Sequence, residues 1–119
     1  MILGRGSVVL VELDPTVGDE QRGVHPCVVV SDPVVNQDQR FPVPCVVPIT
    51  GTLGVGALYP ELSPTGSGLT KVFCALVDHL RSIDKRRIRR VYGVLPTHEV
   101  AAVDEALRLF LGMQRSGAR

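Results

Sequence analysis

The sequence predicts a mainly β protein with one α-helix (an α+β fold), in which five or six short strands form a small barrel or a strongly bent sheet. Short runs rich in valine, isoleucine and leucine recur along most of the chain. Nine prolines and twelve glycines fall mostly between those runs, where such residues fix turns. Near the end of the chain the apolar spacing changes to that of a helix.

The predicted strands are apolar runs bounded by turn residues. In chain order they are 7–13 (SVVLVEL), 27–31 (CVVVS), 43–49 (VPCVVPI), 59–62 (YPEL), 71–77 (KVFCALV) and 90–95 (RVYGVL). Pro44 and Pro48 bracket the third run, so we expect that strand to lie at an edge of the sheet or to end there. Two long irregular segments, 14–26 and 50–68, are predicted to be functional or mobile loops.

A single amphipathic helix is predicted to cover the sheet. It starts at Thr97, a suitable N-cap residue, and Gly112 closes it. Its apolar positions recur at helical spacing: Val100, Val103, Leu107, Phe110 and Leu111. A shorter helical turn is predicted at Asp84, just before the basic run 85–90.

Composition predicts one globular domain over residues 1–119, with a frayed tail after about residue 113. Of the 119 residues, 45% are apolar and 21% are charged, which is enough for a small core. Thirteen basic residues stand against twelve acidic ones, so a net charge of +1 gives no global attraction to nucleic acid. The amino-terminal apolar run is interrupted by Glu12 and fits neither a signal peptide nor a membrane span, which predicts a soluble cytoplasmic protein.

The three cysteines, Cys27, Cys45 and Cys74, lie far apart in strand-like runs, with no C-x-x-C pair and no histidine at metal spacing. We therefore expect buried free thiols rather than disulfides. No metal site and no cofactor are predicted.

Taken together, several segments resemble the MazF/PemK family of bacterial toxin endoribonucleases, over about residues 5–111. The amino-terminal matches are Arg5, Gly6, Leu13, Pro15, Gly18, Glu20, Gln21, Gly23, Pro26, Val30, Ser31 and Asn36. Further similarity lies in 46–50 (VVPIT), 77–88 (VDHLRSIDKRRI) and 103–113 (VDEALRLFLGM). The resemblance implies a small SH3-like barrel of about five to seven short, mostly antiparallel strands with a C-terminal helix, assembled as a homodimer.

The resemblance also implies an activity and partners. Members of the family are toxins of type II toxin-antitoxin systems that cleave single-stranded RNA, chiefly mRNA, at short recognition sequences without a metal. The ribose 2′-hydroxyl attacks the adjacent phosphate. An acidic, MazE-like antitoxin is the implied partner, and operator DNA is contacted only through that antitoxin.

The family's catalytic arginine is replaced in this sequence by His25. An imidazole titrates near ~6.5 and can donate or accept a proton at neutrality, whereas a guanidinium stays charged. It lacks the two-pronged grip of arginine on phosphate. The sequence therefore predicts a nuclease site in which His25 does the work of the arginine.

By resemblance, the other catalytic residues are Thr50, Glu20 and Asp78. The Thr50 hydroxyl would bond the scissile phosphate, and either carboxylate would accept a proton or hold His25 in its charged form. Gln21 and Arg81 match RNA-binding positions, and Arg81 is the candidate for a phosphate contact.

Each of these residues also has an ordinary structural interpretation. His25 can be a surface residue, Thr50 a turn threonine, and Glu20 and Gln21 loop architecture. Asp78 and Arg81 can form a surface ion pair, and the basic run 85–90 can be a solvated helical face. The sequence has no tryptophan and no clustered tyrosine to offer a base-stacking platform.

Two alternative functions remain open at this stage. One is a catalytically weakened or inactive toxin-like module that acts by binding antitoxin or DNA. The other is a topoisomerase target, as in the related CcdB toxins, which the pattern EQ-x-G-x-x-P disfavours.

Overall fold

A computed structural model of the chain describes residues 3–13, 23–38, 40, 43–64 and 66–113. The described strands are β1 (Ser7–Leu13), β2 (Gly23–Val29), β3 (Cys45–Thr50), β4 (Glu61–Leu62), β5 (Phe73–Ala75), β6 (Arg81–Ser82) and β7 (Ile88–Val94). The described helices are α1 (Pro33–Gln37) and α2 (Thr97–Leu111), and 3-10 turns span Val77–His79 and Lys85–Arg87. The predicted mainly β fold with a C-terminal helix is confirmed.

All described strand pairings are antiparallel, in the order β4-β5-β3-β2-β1-β7, with β6 also paired to β3. β3 is therefore central: β2 lies along one edge, and β5 and β6 share the other. Of the two alternatives for the strand at Pro44 and Pro48, the edge position is wrong, whereas the prolines do mark limits: β3 begins directly after Pro44, and its pairing with β2 ends at Pro48. Pro48 is accommodated because it is the last β3 residue paired with β2, and its carbonyl accepts a hydrogen bond from the Leu76 N–H at 2.8 Å.

The two ends of this strongly bent sheet approach each other without forming a ladder among the described residues. The Val94 N–H of β7 donates a 3.3 Å hydrogen bond to the carbonyl of Gly66, just after β4. Gly68 then lies against Tyr92, so closely that a Cβ on Gly68 would be 2.8 Å from the Tyr92 Cβ. The described strands therefore form a bent sheet that is not closed into a barrel, and a loop contact joins its two ends.

Two apolar clusters lie on the two faces of the sheet, because alternate residues of a strand point to opposite sides. The first core packs beneath α2: Val8, Val28, Val47, Ile49, Leu62, Ala75, Val77, Leu95, Val103 and Ala106. The second core lies on the other face: Leu3, Val9, Val11, Leu13, Cys27, Val29, Val46 and Ile83.

Several predicted boundaries are wrong, because tertiary pairing decides them. β2 starts at Gly23 rather than at residue 27, since Leu13 and Glu12 of β1 pair with Gly23 and Val24. β7 starts at Ile88, opposite Val11. β5 is shorter than predicted, and neither α1 nor β6 is predicted.

The helix α2 follows its prediction to within one residue. Its N-cap is Pro96 rather than Thr97, and Gly112 closes it in the left-handed conformation at φ +70°. Arg5 holds α2 to the sheet through a two-pronged ion pair with Asp104, while its Nε donates a 2.8 Å bond to the Val30 carbonyl. No helix in the described part of the chain is both long and apolar enough to cross a membrane.

The cysteines are free in the structure, as predicted, but they differ in burial. Cys27 and Cys74 are buried, whereas Cys45 is only half-buried. Cys45 is the exception because it begins β3, opposite the exposed Ser82.

Candidate active site

The ladder between β2 and β3 ends at the pair of Cys27 with Pro48. Pro26 and Pro48 have no N–H to donate, so neither contributes a donor to prolong the ladder. Beyond this point β3 pairs with β5 through Ile49 and Thr50. The two prolines therefore lie where β2 and β3 stop pairing.

Continuing the β2–β3 register by two residues sets His25 opposite Thr50. Both side chains belong to the second-core face, because His25 is two residues from Cys27 and Thr50 is four residues from Val46. Arg81 pairs directly with Val46 and shares that face. Strand geometry thus brings three of the predicted site residues to one face of the sheet.

His25 is half-buried in a strand, directly across from Val11 of β1. His25 therefore lies in a strand and not in a turn, because the β1 pairing extends through this position. Its imidazole makes no hydrogen bond or ion pair with any other described residue; Nε2 lies 3.9 Å from the position that a Cβ on Gly23 would take. No described residue therefore competes with a ligand for the ring.

Thr50 makes a turn contact and also has a hydroxyl hydrogen that it can donate. Its Oγ1 accepts a 3.2 Å hydrogen bond from the Thr52 N–H, which is the contact expected of a turn threonine. A hydroxyl also carries one hydrogen to donate, and no described residue accepts it. The turn contact fixes the side chain and leaves that hydrogen for a ligand.

Arg81 lies close to Cys27. Burial raises the pKa of the Cys27 thiol to about 12, and the positive charge of Arg81 opposes that shift. The structure records no ion pair between Arg81 and a described carboxylate. The interpretation of Asp78 and Arg81 as a surface ion pair is wrong, because Asp78 sits on the Val77–His79 turn and has other partners.

Asp78 is held by two side chains. The Tyr59 hydroxyl donates a 2.9 Å bond to Oδ2, and Nε2 of His79 lies 3.8 Å from Oδ1. Asp78 Oδ1 and His79 Nδ1 are buried without a hydrogen-bond partner among the described residues. The hydrogen bond to Asp78 is the main reason that the pKa of Tyr59 is raised. Asp78 therefore does not pair with His25 in this structure.

The Asp78 group is linked to Thr50 through the turn that follows β3. Cys74 pairs with Thr50, and its sulfur accepts a 3.4 Å bond from the Gly54 N–H. Gly54 packs on Tyr59, since a Cβ there would be 3.1 Å from the ring. The threonine, the turn and the tyrosine–aspartate pair form one continuous wall.

Glu20 and Gln21 lie outside the described residues, so their predicted roles remain predictions.

Lys71 is a site residue that sequence analysis misses. Its Nζ lies 2.7 Å from the position of a Cβ on Gly51, directly after Thr50, and 5.7 Å from the centre of the Phe73 ring. In the sequence Lys71 is only the first residue of an apolar run. Its proximity to Gly51 depends on folding and carries no local signal.

The basic run 85–90 is not a solvated helical face. It forms the short turn Lys85–Arg87 and then enters β7. Arg86 pairs with Asp84, and Arg89 pairs with Glu12. The cleft of about 390 Å³ at this end mixes both signs of charge, being lined by Glu12, Asp84, Arg86, Arg87 and Arg89.

Within the described ranges, no group of three or more histidine, cysteine or acidic side chains is arranged to hold a metal ion.

Comparison with known proteins gives a concordant picture. The model of the family described as PemK-like, MazF-like toxin of type II toxin-antitoxin system matches residues 4–111. "Endoribonuclease MazF9" of Mycobacterium tuberculosis (strain ATCC 25618 / H37Rv) is 35% identical over 116 residues, covering 94% of this chain and 98% of the relative.

Solved structures share the fold. MazF from Deinococcus radiodurans superposes with a TM-score of 0.80 at 27% identity, over 95% of this chain and 99% of that one. An endoribonuclease from a mycobacterial species, solved in complex with its cognate antitoxin, has a TM-score of 0.77 at 20% identity, over 94% and 97% of the two chains.

Proposed function

The chain belongs to the PemK-like, MazF-like family of toxins of type II toxin-antitoxin systems, and on that premise we propose that it is an endoribonuclease. The proposed reaction is cleavage of single-stranded RNA by attack of a ribose 2′-hydroxyl on the adjacent phosphate. The relative's name, Endoribonuclease MazF9, supports this reaction class. The products are a 2′,3′-cyclic phosphate and a free 5′-hydroxyl, and no metal takes part.

The observation that supports the proposal is that His25 and Thr50 belong to one face of the sheet, each two residues beyond the last pair of the β2–β3 ladder. Transesterification needs a group that moves a proton and a donor that holds the phosphate in line. An imidazole with no partner among the described residues supplies the first, and the free hydroxyl hydrogen of Thr50 supplies the second.

His25 acts in one of two protonation states. As a neutral ring it takes the proton from the 2′-hydroxyl while O2′ bonds to phosphorus; as an imidazolium it protonates the 5′-oxygen when the P–O5′ bond breaks. A single ring cannot fill both roles in one step, so the second role falls to a carboxyl group. Glu20 and Asp78 are the candidates.

Arg81 stabilises the extra negative charge that the phosphate gains in the transition state. It is half-buried, lies on the same face as His25 and has no carboxylate partner among the described residues. A guanidinium free of other partners keeps its donors for an anion. Gln21 is also proposed to bind RNA.

The proposed partners are a second copy of this chain and an acidic antitoxin. Relatives have been solved in complex with a cognate antitoxin, which supports the second partner. Operator DNA is proposed to be contacted only through the antitoxin.

The test is cleavage of a long single-stranded RNA by the purified protein in EDTA. We expect discrete cuts, mapped by primer extension, and their loss in His25→Ala. The rate should depend on pH, and the part of that dependence that comes from the imidazole should be absent in His25→Arg.

One observation favours a second candidate function, a weakened or inactive toxin that acts by binding antitoxin or DNA. His25 lacks the fork of donors that the family's arginine provides. If the wild-type protein cuts nothing while His25→Arg cuts readily, this second function replaces the first.

A further inference from the structure

A pocket of about 150 Å³ opens beside Pro26, the residue that follows His25. Its lining is mainly apolar and contains two aromatic rings from distant parts of the chain: Pro26, Gly68, Leu69, Thr70, Phe73 and Tyr92. Phe73 begins β5 and Tyr92 lies in β7, and both are only partly buried. The rings therefore remain accessible to a ligand.

The pocket is built by backbone contacts that hold its walls. Gly68 has φ +82° and lies against Tyr92, where a Cβ would be 2.8 Å from the tyrosine Cβ and 2.9 Å from its carbonyl oxygen. Only glycine combines that conformation with that closeness. The segment after Gly68 is thereby pressed onto β7 and forms one side of the pocket.

A cationic side chain lies over each of the two rings. Lys71 Nζ lies 5.7 Å from the centre of the Phe73 ring, and the Arg90 guanidinium lies 5.1 Å from the centre of the Tyr92 ring. No carboxylate of the described residues lines the pocket. Aromatic surfaces flanked by positive charge suit a planar ring that is joined to an anion, which is the chemistry of a nucleotide.

The pocket lies across β2 from the His25 side chain, one residue further along the strand. Pro26 follows His25 directly, and neighbouring residues of a strand point to opposite faces. The side chains of the two therefore flank β2 near its beginning, where Gly23 and Val24 are exposed. Beyond Cys27 the β3 side of β2 has no strand partner among the described residues, so a chain that places a phosphate at His25 can cross this edge of β2 to the pocket.

We propose that this pocket binds one nucleobase of the RNA substrate by stacking on Phe73 and Tyr92, with Lys71 and Arg90 contacting the neighbouring phosphates. This inference rests on the proposed endoribonuclease function and adds to it a residue-level source of sequence preference. It also replaces the expectation that the chain has no stacking platform, because folding brings together two rings that are far apart in the sequence.

The first test is NMR titration of the wild-type protein with the four nucleoside 5′-monophosphates. Ribose 5-phosphate, which has the phosphate but no base, is the control ligand. We expect at least one nucleotide to shift the ring signals of Phe73 and Tyr92 in a saturable way, while Phe110 of α2, which is exposed and lies outside both the pocket and the candidate active site, serves as the internal control. Equal shifts with ribose 5-phosphate, or none with any nucleotide, overturn the proposal.

The second test compares Tyr92→Leu with Tyr92→Phe, which keeps the ring. The probe is a fluorescent pool of randomised single-stranded DNA, which lacks the 2′-hydroxyl and cannot be cut by the proposed reaction. We expect affinity to fall ~5- to 100-fold in Tyr92→Leu and to be retained in Tyr92→Phe. Phe73→Leu is the second variant, should Tyr92→Leu fail to fold, and the same loss is expected from it.

The outcomes separate this proposal from the function on which it rests. Base-dependent binding without RNA cleavage overturns the nuclease and leaves the pocket. RNA cleavage with unchanged sequence preference and unchanged DNA affinity in folded Tyr92→Leu and Phe73→Leu overturns the pocket and leaves the nuclease. If these variants lose binding of the antitoxin and keep DNA affinity, the pocket belongs to a protein partner and the proposal is wrong.

Discussion

The Tyr59 hydroxyl donates a 2.9 Å hydrogen bond to Oδ2 of Asp78, while the other carboxylate oxygen is buried without a hydrogen-bond partner among the described residues. This bond ties the segment that packs on Gly54, after β3, to the Val77–His79 turn after β5. Both segments flank Thr50. The pair therefore orients Asp78 at the edge of the candidate site and prevents its carboxylate from turning freely.

We predict that Tyr59 ionises above the ordinary pH for a tyrosine. The bond to Asp78, aided by burial and by the negative charge of the carboxylate, raises the pKa of Tyr59, so the phenol keeps its proton above about pH 10. Asp78→Asn should lower the titration midpoint, measured by tyrosinate absorbance. In a Tyr92→Phe background Tyr59 is the only tyrosine. Identical midpoints with and without Asp78→Asn would show that the bond does not persist in solution.

We predict that the hydroxyl of Thr50, rather than its shape, supports RNA cleavage. Thr50→Val keeps the shape of the side chain and removes the donor, so the cleavage rate should fall about 10- to 1000-fold. Thr50→Ser keeps the hydroxyl and its bond to the Thr52 N–H and should stay within a few-fold of wild type. Single-turnover rates are the measurement, with thermal melting to account for the lost turn contact. Equal rates for the two variants would assign Thr50 a structural role alone.

We predict that Gly68→Ala is much more destabilising than Gly112→Ala. Both glycines have positive φ, +82° and +70°, so both variants carry the backbone strain of about 1 kcal/mol. Only Gly68 also has a steric conflict, with Tyr92, whereas a Cβ on Gly112 meets nothing within 4 Å. Urea denaturation should show the Gly68 variant less stable than the Gly112 variant by about 1–3 kcal/mol. Comparable losses would mean that the Gly68 contact relaxes without cost.

The sequence predicts those elements of the fold whose signals are local. β1 and α2 follow from an apolar run and from helical spacing, and Gly112 ends its helix because a left-handed residue is needed there. The start of β2 has no local signal in the sequence, because it depends on which residues of β1 pair with Gly23 and Val24. The prediction of an edge strand from Pro48 is wrong for the same reason: whether a proline disturbs a strand depends on where the ladder with the neighbouring strand ends, and the β2–β3 ladder ends at Pro48.

The residues of the candidate site are likewise of two kinds: those found from local motifs and those that only the fold brings into contact. His25, Thr50 and Arg81 are found through their positions in motifs, and strand register then brings them to one face. Lys71 near Gly51 and Phe73 near Tyr92 have no motif, because each contact joins segments that are distant in the sequence. Contacts between such distant segments can be identified only from the folded structure.

The buried thiol of Cys27 yields a prediction on stability and pH. Burial raises the pKa of Cys27 from 9.0 to about 12 in the folded state. Below about pH 9 both states keep the proton, so the thiol adds no pH dependence. Between about pH 9 and 12 the unfolded chain releases the proton and the folded protein retains it, so the free energy of unfolding falls as pH rises, by at most about 1.4 kcal/mol per pH unit.

The measurement is urea denaturation between about pH 8 and 10 in a Cys45→Ala background, since burial also raises the pKa of Cys45. Adding Cys27→Ala should reduce the fall by about 1 kcal/mol over this interval, because the other titrating groups are common to both proteins and cancel in the difference. Parallel curves for the two proteins would mean that the thiol is as solvated in the folded state as in the unfolded chain, which would contradict its place in the second core.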